Sequence, residues 1–343
     1  MTYLEQDLNM LADYIAERGL DKKTILITGA TGLLGSLAVK AVLWANEKHN
    51  TQIQVVAMAR TKERVKAVFK EKAESPYLRF VYQDIIDSIE IGGQVDYIIH
   101  TANSTTSKYF ITNPVETMNS IYTGSRNVLE FAKDKKVQGL VYLSSMEVFG
   151  ATDPNKRLIS EKDLGYLDIS NIRSCYSEGK RLVECMCKCY AEEYGVPVKI
   201  ARLAQTFGAG ISKDENRVFA QFARSAMNKT DIVLHTKGDS TGNYCYTADA
   251  LKAIFLLLNA GENGEAYTVV NEESTMTIAE MAQMVARDIA GEEIQVVFDI
   301  PEGNVFGYAP KTSMRLSAQK LRELGWSPTV DLKNTYLRMM QGL

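Results

Sequence analysis

Thr24-Ile25-Leu26-Ile27-Thr28-Gly29-Ala30-Thr31-Gly32-Leu33-Leu34-Gly35 decides the fold. A short isoleucine-rich run reads as a buried strand, and it leads directly into glycines spaced by three and then into a helical stretch. Glycines at that spacing let the backbone turn tightly and approach a pyrophosphate. The start of the following helix offers free N–H groups and the positive end of its dipole. The stretch is therefore read as a dinucleotide-binding loop, with Gly29, Thr31, Gly32, Leu33, Leu34 and Gly35 nearest the phosphates.

Outward from this loop, strand-like runs recur at Gln54–Ala59, Leu78–Tyr82, Val95–His100, Leu140–Leu143 and Val198–Ala201. Helical stretches lie between them at Leu33–Glu47, Lys62–Lys72, Val115–Asp134 and Ser177–Tyr194. That alternation predicts an α/β protein, a Rossmann-type doubly wound parallel sheet with helices on both faces. Upstream, Leu4, Leu8, Leu11 and Ile15 recur at helical spacing. Beyond residue 205 the rhythm loosens. Arg217–Asn228, Ala248–Leu258 and Thr277–Ala290 read as helices, Ile232–Thr236 as a strand, and a last helix ends at Gly325. The expected organisation is an N-terminal amphipathic helix (1–22), a nucleotide-binding domain (23–205) and a smaller, mainly substrate-binding lobe (206–343) interleaved with it.

Composition narrows the function classes. The chain has 343 residues, 45% of them hydrophobic and 24% charged, as in an ordinary globular enzyme. Its 39 basic and 42 acidic residues give a net charge of −3, so there is no electrostatic case for nucleic acid. No apolar run approaches the roughly 20 residues of a membrane span, and the first twenty residues lack a basic segment followed by an apolar one. The five cysteines (Cys175, Cys185, Cys187, Cys189 and Cys245) form no CxxC pair. His49, His100 and His235 have no zinc-type partner at ligand spacing. No metal site is expected, and the cysteines are read as small hydrophobes in a reducing cytoplasm.

The second strand ends at Arg60, with Lys62 and Arg64 following, where an acid would meet the adenosine ribose of NAD. A guanidinium there can pair bidentately with a 2′-phosphate, which favours NADP over NAD. Asp84-Ile85 closes the third strand, in position to meet the adenine edge. The strand Leu140–Leu143 runs into Ser144-Ser145-Met146-Glu147, and Tyr176 and Lys180 stand one helical turn apart further on. A neighbouring ammonium stabilises a phenolate, so Tyr176 is expected to be an acidified base, with Ser145 holding a substrate hydroxyl in line with it.

Together these residues resemble the extended short-chain dehydrogenase/reductases of the NAD-dependent epimerase/dehydratase family, over about Lys23 to Gly342. The resemblance takes in Thr101-Ala102 beside the cofactor, Arg202-Leu203, Tyr246 with Asp249, and Leu324-Gly325-Trp326-Ser327-Pro328. Within the family, Asn113-Pro114 with Thr117, Glu147, Cys175-Tyr176 with Glu178-Gly179-Lys180-Arg181, and Asn216-Arg217-Val218 are most similar to UDP-glucuronate decarboxylases.

This resemblance implies a nucleotide-sugar substrate, a transient 4-keto sugar and a homodimer paired through the Val115–Asp134 and Ser177–Tyr194 helices. It implies Ser145, Glu147, Tyr176 and Lys180 as catalytic residues, Tyr176 and Lys180 also facing the cofactor, and Gln205 and Arg217 toward the sugar. The chain departs from the pattern at Met146, where dehydratases keep a proton-donating aspartate, and at Gly242, where an arginine usually contacts the nucleotide diphosphate. Gln205 replaces an asparagine and Arg60 an acid. A 4-epimerase, an NADPH-dependent ketosugar reductase and a non-catalytic dinucleotide-binding regulator are the other readings.

Overall fold

The computed structural model describes residues 1–103, 107–302 and 311–343. The first half runs α1 (Tyr3–Ala16), β1 (Thr24–Thr28), α2 (Leu33–His49), β2 (Gln54–Ala59), α3 (Lys62–Phe69), β3 (Leu78–Tyr82), β4 (Tyr97–His100), α4 (Ser107–Thr112), α5 (Pro114–Lys135) and β5 (Gly139–Ser145). It continues through α6 (Ser174–Tyr194), β6 (Val198–Leu203), β7 (Gln205–Phe207), α7 (Val218–Asn228), β8 (Ile232–Leu234), β9 (Thr241–Tyr246) and α8 (Thr247–Asn259). β10 (Ala266–Val269), β11 (Asn271–Thr277), α9 (Ile278–Met284), β12 (Val296–Phe298), α10 (Gln319–Arg322) and α11 (Leu332–Met340) complete the chain.

Seven parallel strands form the main sheet in the order β3-β2-β1-β4-β5-β6-β10. The chain winds outward from β1 to β3, then returns to lay β4 on the other side of β1. In doubly wound sheets this reversal is where a ligand crevice forms, here beyond the carboxyl ends of β1 and β4. Side chains alternate between the two faces, as a pleated strand requires. Leu26, Val56, Ile98, Leu140 and Ile200 meet Ile121 and Val128 of α5 and Val183 of α6. Ile25, Val55, Ile99 and Val141 face the opposite core with Leu37 and Val42 of α2 and Ile254 of α8. Both faces are covered, which explains the uninterrupted apolar runs seen in the sequence. A separate core gathers Phe207, Phe219, Phe222, Tyr244 and Tyr336 around the three-stranded sheet β11-β9-β7.

α1 is part of this framework. Thr2 and Glu5 form a capping box at its start, and Leu8, Leu11, Ala12 and Ile15 are buried as it packs against α2 and α8. Asp7 ties the helix to distant parts of the chain: the Tyr246 hydroxyl donates to one carboxylate oxygen and Arg338 Nη1 to the other at 2.7 Å. At the other terminus, buried Asp249 accepts from the Thr329 and Val330 N–H groups at 2.8 and 3.1 Å, which holds the Trp326 tail on α8.

Some elements differ from the sequence reading. β4 starts at Tyr97, two residues late, because Asp96 clips the strand start by accepting from the Thr24 N–H at 2.8 Å. The helix predicted over Lys62–Lys72 stops at Phe69, where Lys70 turns left-handed (φ 49°) into a 3₁₀ turn. The Thr277–Ala290 helix becomes a π turn from Val285. β7, β9 to β12, α4 and α11 went unread; several are only three or four residues long, too short to show a period.

Candidate active site

At the carboxyl edge of the sheet, Gly29 takes the left-handed turn (φ 63°) that ends β1. A side chain there would meet Thr101 Oγ1 at 2.7 Å and the Ala102 Cα at 2.8 Å, so β4 and the loop approach as closely as backbones can. A Cβ at Gly35 would fall on the Gly29 carbonyl oxygen, well inside contact distance. Thr101 Oγ1 donates to the Thr28 carbonyl at 2.7 Å and locks this junction. Gly32 caps α2 with no side-chain hydrogen bond, so the first N–H groups of the helix, at Leu33, Leu34 and Gly35, point beyond it without intrahelical acceptors. This bare, dipole-positive cradle fits a pyrophosphate.

Arg60 follows β2, exposed and without a hydrogen bond or ion pair among the described residues. Asp84 follows β3 and accepts from the Ile86 N–H at 3.3 Å. Ile85 is buried under Gly124 of α5. Asn127, also on α5, braces this corner by donating to the Ile85, Ile86 and Asp87 carbonyls at 3.1, 2.9 and 3.0 Å.

β5 and α6 bring the second group of residues together. Ser145 ends β5, and its hydroxyl accepts from the Glu147 N–H at 3.2 Å and favours the Tyr176 phenolate, lowering that phenol against the rise from burial. Tyr176 is buried and its ring stacks on Phe110 at 4.3 Å. Lys180, 2% exposed, donates to the Leu143 carbonyl at 2.7 Å and lies 5.8 Å from the Tyr176 ring centre. Burial pushes the Lys180 ammonium down to about 7. It pushes the Tyr176 phenol up, and the nearby Glu147 carboxylate adds to the rise. Burial thus opposes the charged form of both groups in the protein alone, and so works against the expected acidification of Tyr176 by Lys180.

Glu147 meets Arg173 in a bidentate pair, with Nη1 to Oε2 at 2.8 Å and Nη2 to Oε1 at 3.0 Å, and Ser177 Oγ donates to the same carboxylate at 3.3 Å. The Arg217 charge favours the Tyr176 phenolate, but its Nε and Nη2 are held by Glu215 at 3.0 and 2.8 Å. Gln205 starts β7 just after β6 and stands half-buried opposite Tyr244 of β9. At Gly242 the space for a side chain is taken by the Tyr244 hydroxyl.

The supporting contacts of several residues were missed in the sequence. Arg173 is one turn before Tyr176, the spacing that would have found it. Beneath Ser145, Ser144 donates to Glu184 at 2.5 Å, and Arg202 holds that buried carboxylate at 2.7 to 3.1 Å. His100 sits buried between the Thr28 and Ser125 hydroxyls at 2.7 and 3.0 Å; desolvation pushes its imidazole down to about 3, so it is neutral. No local pattern announces either network.

The NAD dependent epimerase/dehydratase family model matches residues 25–271, most of the chain. The protein belongs to this family. Among curated relatives, UDP-glucuronic acid decarboxylase 6 of Arabidopsis thaliana is 26% identical over 310 residues, covering 90% of this chain and 85% of the relative. UDP-glucuronic acid decarboxylase 1 of Danio rerio is 28% identical over 322 residues, covering 94% and 72%. Among solved structures, an epimerase from Methanothermobacter thermautotrophicus superposes with a TM-score of 0.76 at 21% identity, over 97% of this chain and 94% of the other. A UDP-glucose 4-epimerase from Thermotoga maritima gives 0.73 at 20% identity, over 93% and 97%. These structures share the fold with this family member. No helix among its described residues is long and apolar enough to cross a membrane.

Proposed function

We propose that the protein converts a nucleotide-linked hexuronate through a transient 4-keto sugar, in the manner of a UDP-glucuronate decarboxylase. The observation that carries this reading is the convergence of buried Tyr176 with Lys180, 5.8 Å from its ring centre, and with Ser145 and Glu147 at the end of β5. The family's dinucleotide fits the bare Gly32 cap and the crowded Gly29–Thr101 junction. Leu33, Leu34 and Gly35 would hold its phosphates, Asp84 and Ile85 its adenine, and Lys180 its nicotinamide ribose. Bound there, the dinucleotide would supply a reversible hydride acceptor for the sugar.

The protein's own groups do the rest. Tyr176 removes the proton of the sugar 4-hydroxyl, Ser145 orients that hydroxyl and the carbonyl that forms, and Lys180 in its charged form stabilises the phenolate. The 4-ketone delocalises charge developing next door, so a C6 carboxylate leaves as carbon dioxide. Glu147 carries the proton near C5, while Gln205 and Arg217 steady the substrate. Met146 cannot deliver a proton, which argues against dehydration.

Arg60, exposed and unengaged among the described residues, supports NADP over NAD. The same residue favours the second reading, an NADPH-dependent reductase of a ketosugar. A homodimer through α5 and α6 is supported by their exposed apolar stripes, Val115, Met118 and Tyr122 on one and Leu182 with Cys185 on the other. Incubation with UDP-glucuronate and either dinucleotide tests the function: carbon dioxide release is expected. Its absence, with NADPH consumed on a 4-ketosugar, would replace this reading with the reductase.

A further inference from the structure

We infer that Arg173 is the receptor for the substrate's carboxylate, and that Glu147 is the counter-ion it holds until substrate arrives. The inference rests on the hexuronate reading above and names the group that would select that class of sugar. Arg173, Tyr176, Ser177 and Lys180 fall at helical spacing on one face of α6, so the guanidinium stands on the wall that carries the phenol. Its two terminal nitrogens already grip a carboxylate as a fork, at 2.8 and 3.0 Å. That geometry suits any carboxylate.

Exposure separates this pair from the structural one beneath it. The Arg173 and Glu147 side chains are 33% and 27% exposed, against 6% and 8% for Arg202 and Glu184. The upper pair can exchange partners from solvent; the lower cannot. Arg217, by contrast, is committed to Glu215, which binds its backbone N–H as well as its side chain. Glu147, which pairs with Arg173, comes instead from a separate element, the 3₁₀ turn Met146–Phe149, so its exchange breaks no local turn. No side chain fits at Gly242 while Tyr244 stays in place, so none can take the role there. On exchange, Glu147 keeps Ser177 as a donor and remains beside the sugar.

The test is calorimetric binding of UDP-glucuronate and UDP-glucose to cofactor-loaded protein. Every variant is built on Tyr176→Phe so that bound sugar is not consumed. A preference of about tenfold or more for the glucuronate is expected, the worth of one charge-assisted carboxylate contact. Arg173→Gln should bring the ratio close to one by weakening the glucuronate alone, and Arg173→Lys should keep part of it. Glu147→Gln should raise the ratio, because the resident competitor is gone. A ratio unchanged in Arg173→Gln, or equal weakening of both sugars, would overturn the inference, even if the wild-type protein releases carbon dioxide. Loss of the preference without carbon dioxide release would sustain it and defeat the decarboxylation step alone. Binding of neither sugar would end both.

Discussion

The two ends of the crevice are built from different materials. The phosphate end is backbone: a left-handed glycine, a second glycine pressed on its carbonyl, and a helix start without a side-chain cap. The sugar end is side chain against side chain, with Tyr176 on Phe110, Glu147 on Arg173 and Arg217 on Glu215. A backbone site depends on residues that are consecutive and can be spoiled only by adding atoms. A side-chain site depends on partners from separate elements, and removing or exchanging one of them retunes it.

The sharpest way to break this contrast is at the sugar end. Tyr176→Phe should lower turnover by about 10²–10⁴-fold, the worth of a positioned acid–base group, while cofactor affinity stays near wild type. Rate and dinucleotide titration on one preparation check this. A parallel loss of cofactor binding would show that the two ends are not separable.

Gly35→Ala should do the reverse, by forcing the loop off the Gly29 carbonyl. Overpacking of this kind costs about 1–3 kcal/mol, so dinucleotide affinity should fall by roughly 5- to 150-fold. Turnover at saturating cofactor should change much less.

A third effect lies between the two ends, at Lys180. Its folded value of about 7 lies below its ordinary 10.5, so above pH 7 the unfolded chain binds more protons than the folded one. The penalty for burying its charge is complete below about pH 7 and fades as pH rises toward 10.5. The melting temperature of the wild type should therefore gain on that of Lys180→Met across this window. A pH-independent difference would mean that the ammonium is not desolvated.

α1 qualifies the contrast. It touches neither end, yet Asp7 joins it to Tyr246 and Arg338, and its apolar face closes over the helix that begins at the phosphate loop. The amphipathic pattern of Leu8, Leu11 and Ile15 was legible; the helix it would cover was not, because periodicity names a buried face without naming the neighbour.

The sequence by itself determined the winding of the sheet, the glycine cradle and the Tyr176/Lys180 spacing. Each is written in residues close together in the chain, where dihedral preference and side-chain period act directly. Only the tertiary structure decided the charge states and the pairings. Burial raised the Tyr176 phenol and drew Lys180 down; contacts across 26 and 18 residues joined Glu147 to Arg173 and Glu184 to Arg202. Desolvation and distant ion pairs are properties of the packed interior, and a linear pattern does not carry them.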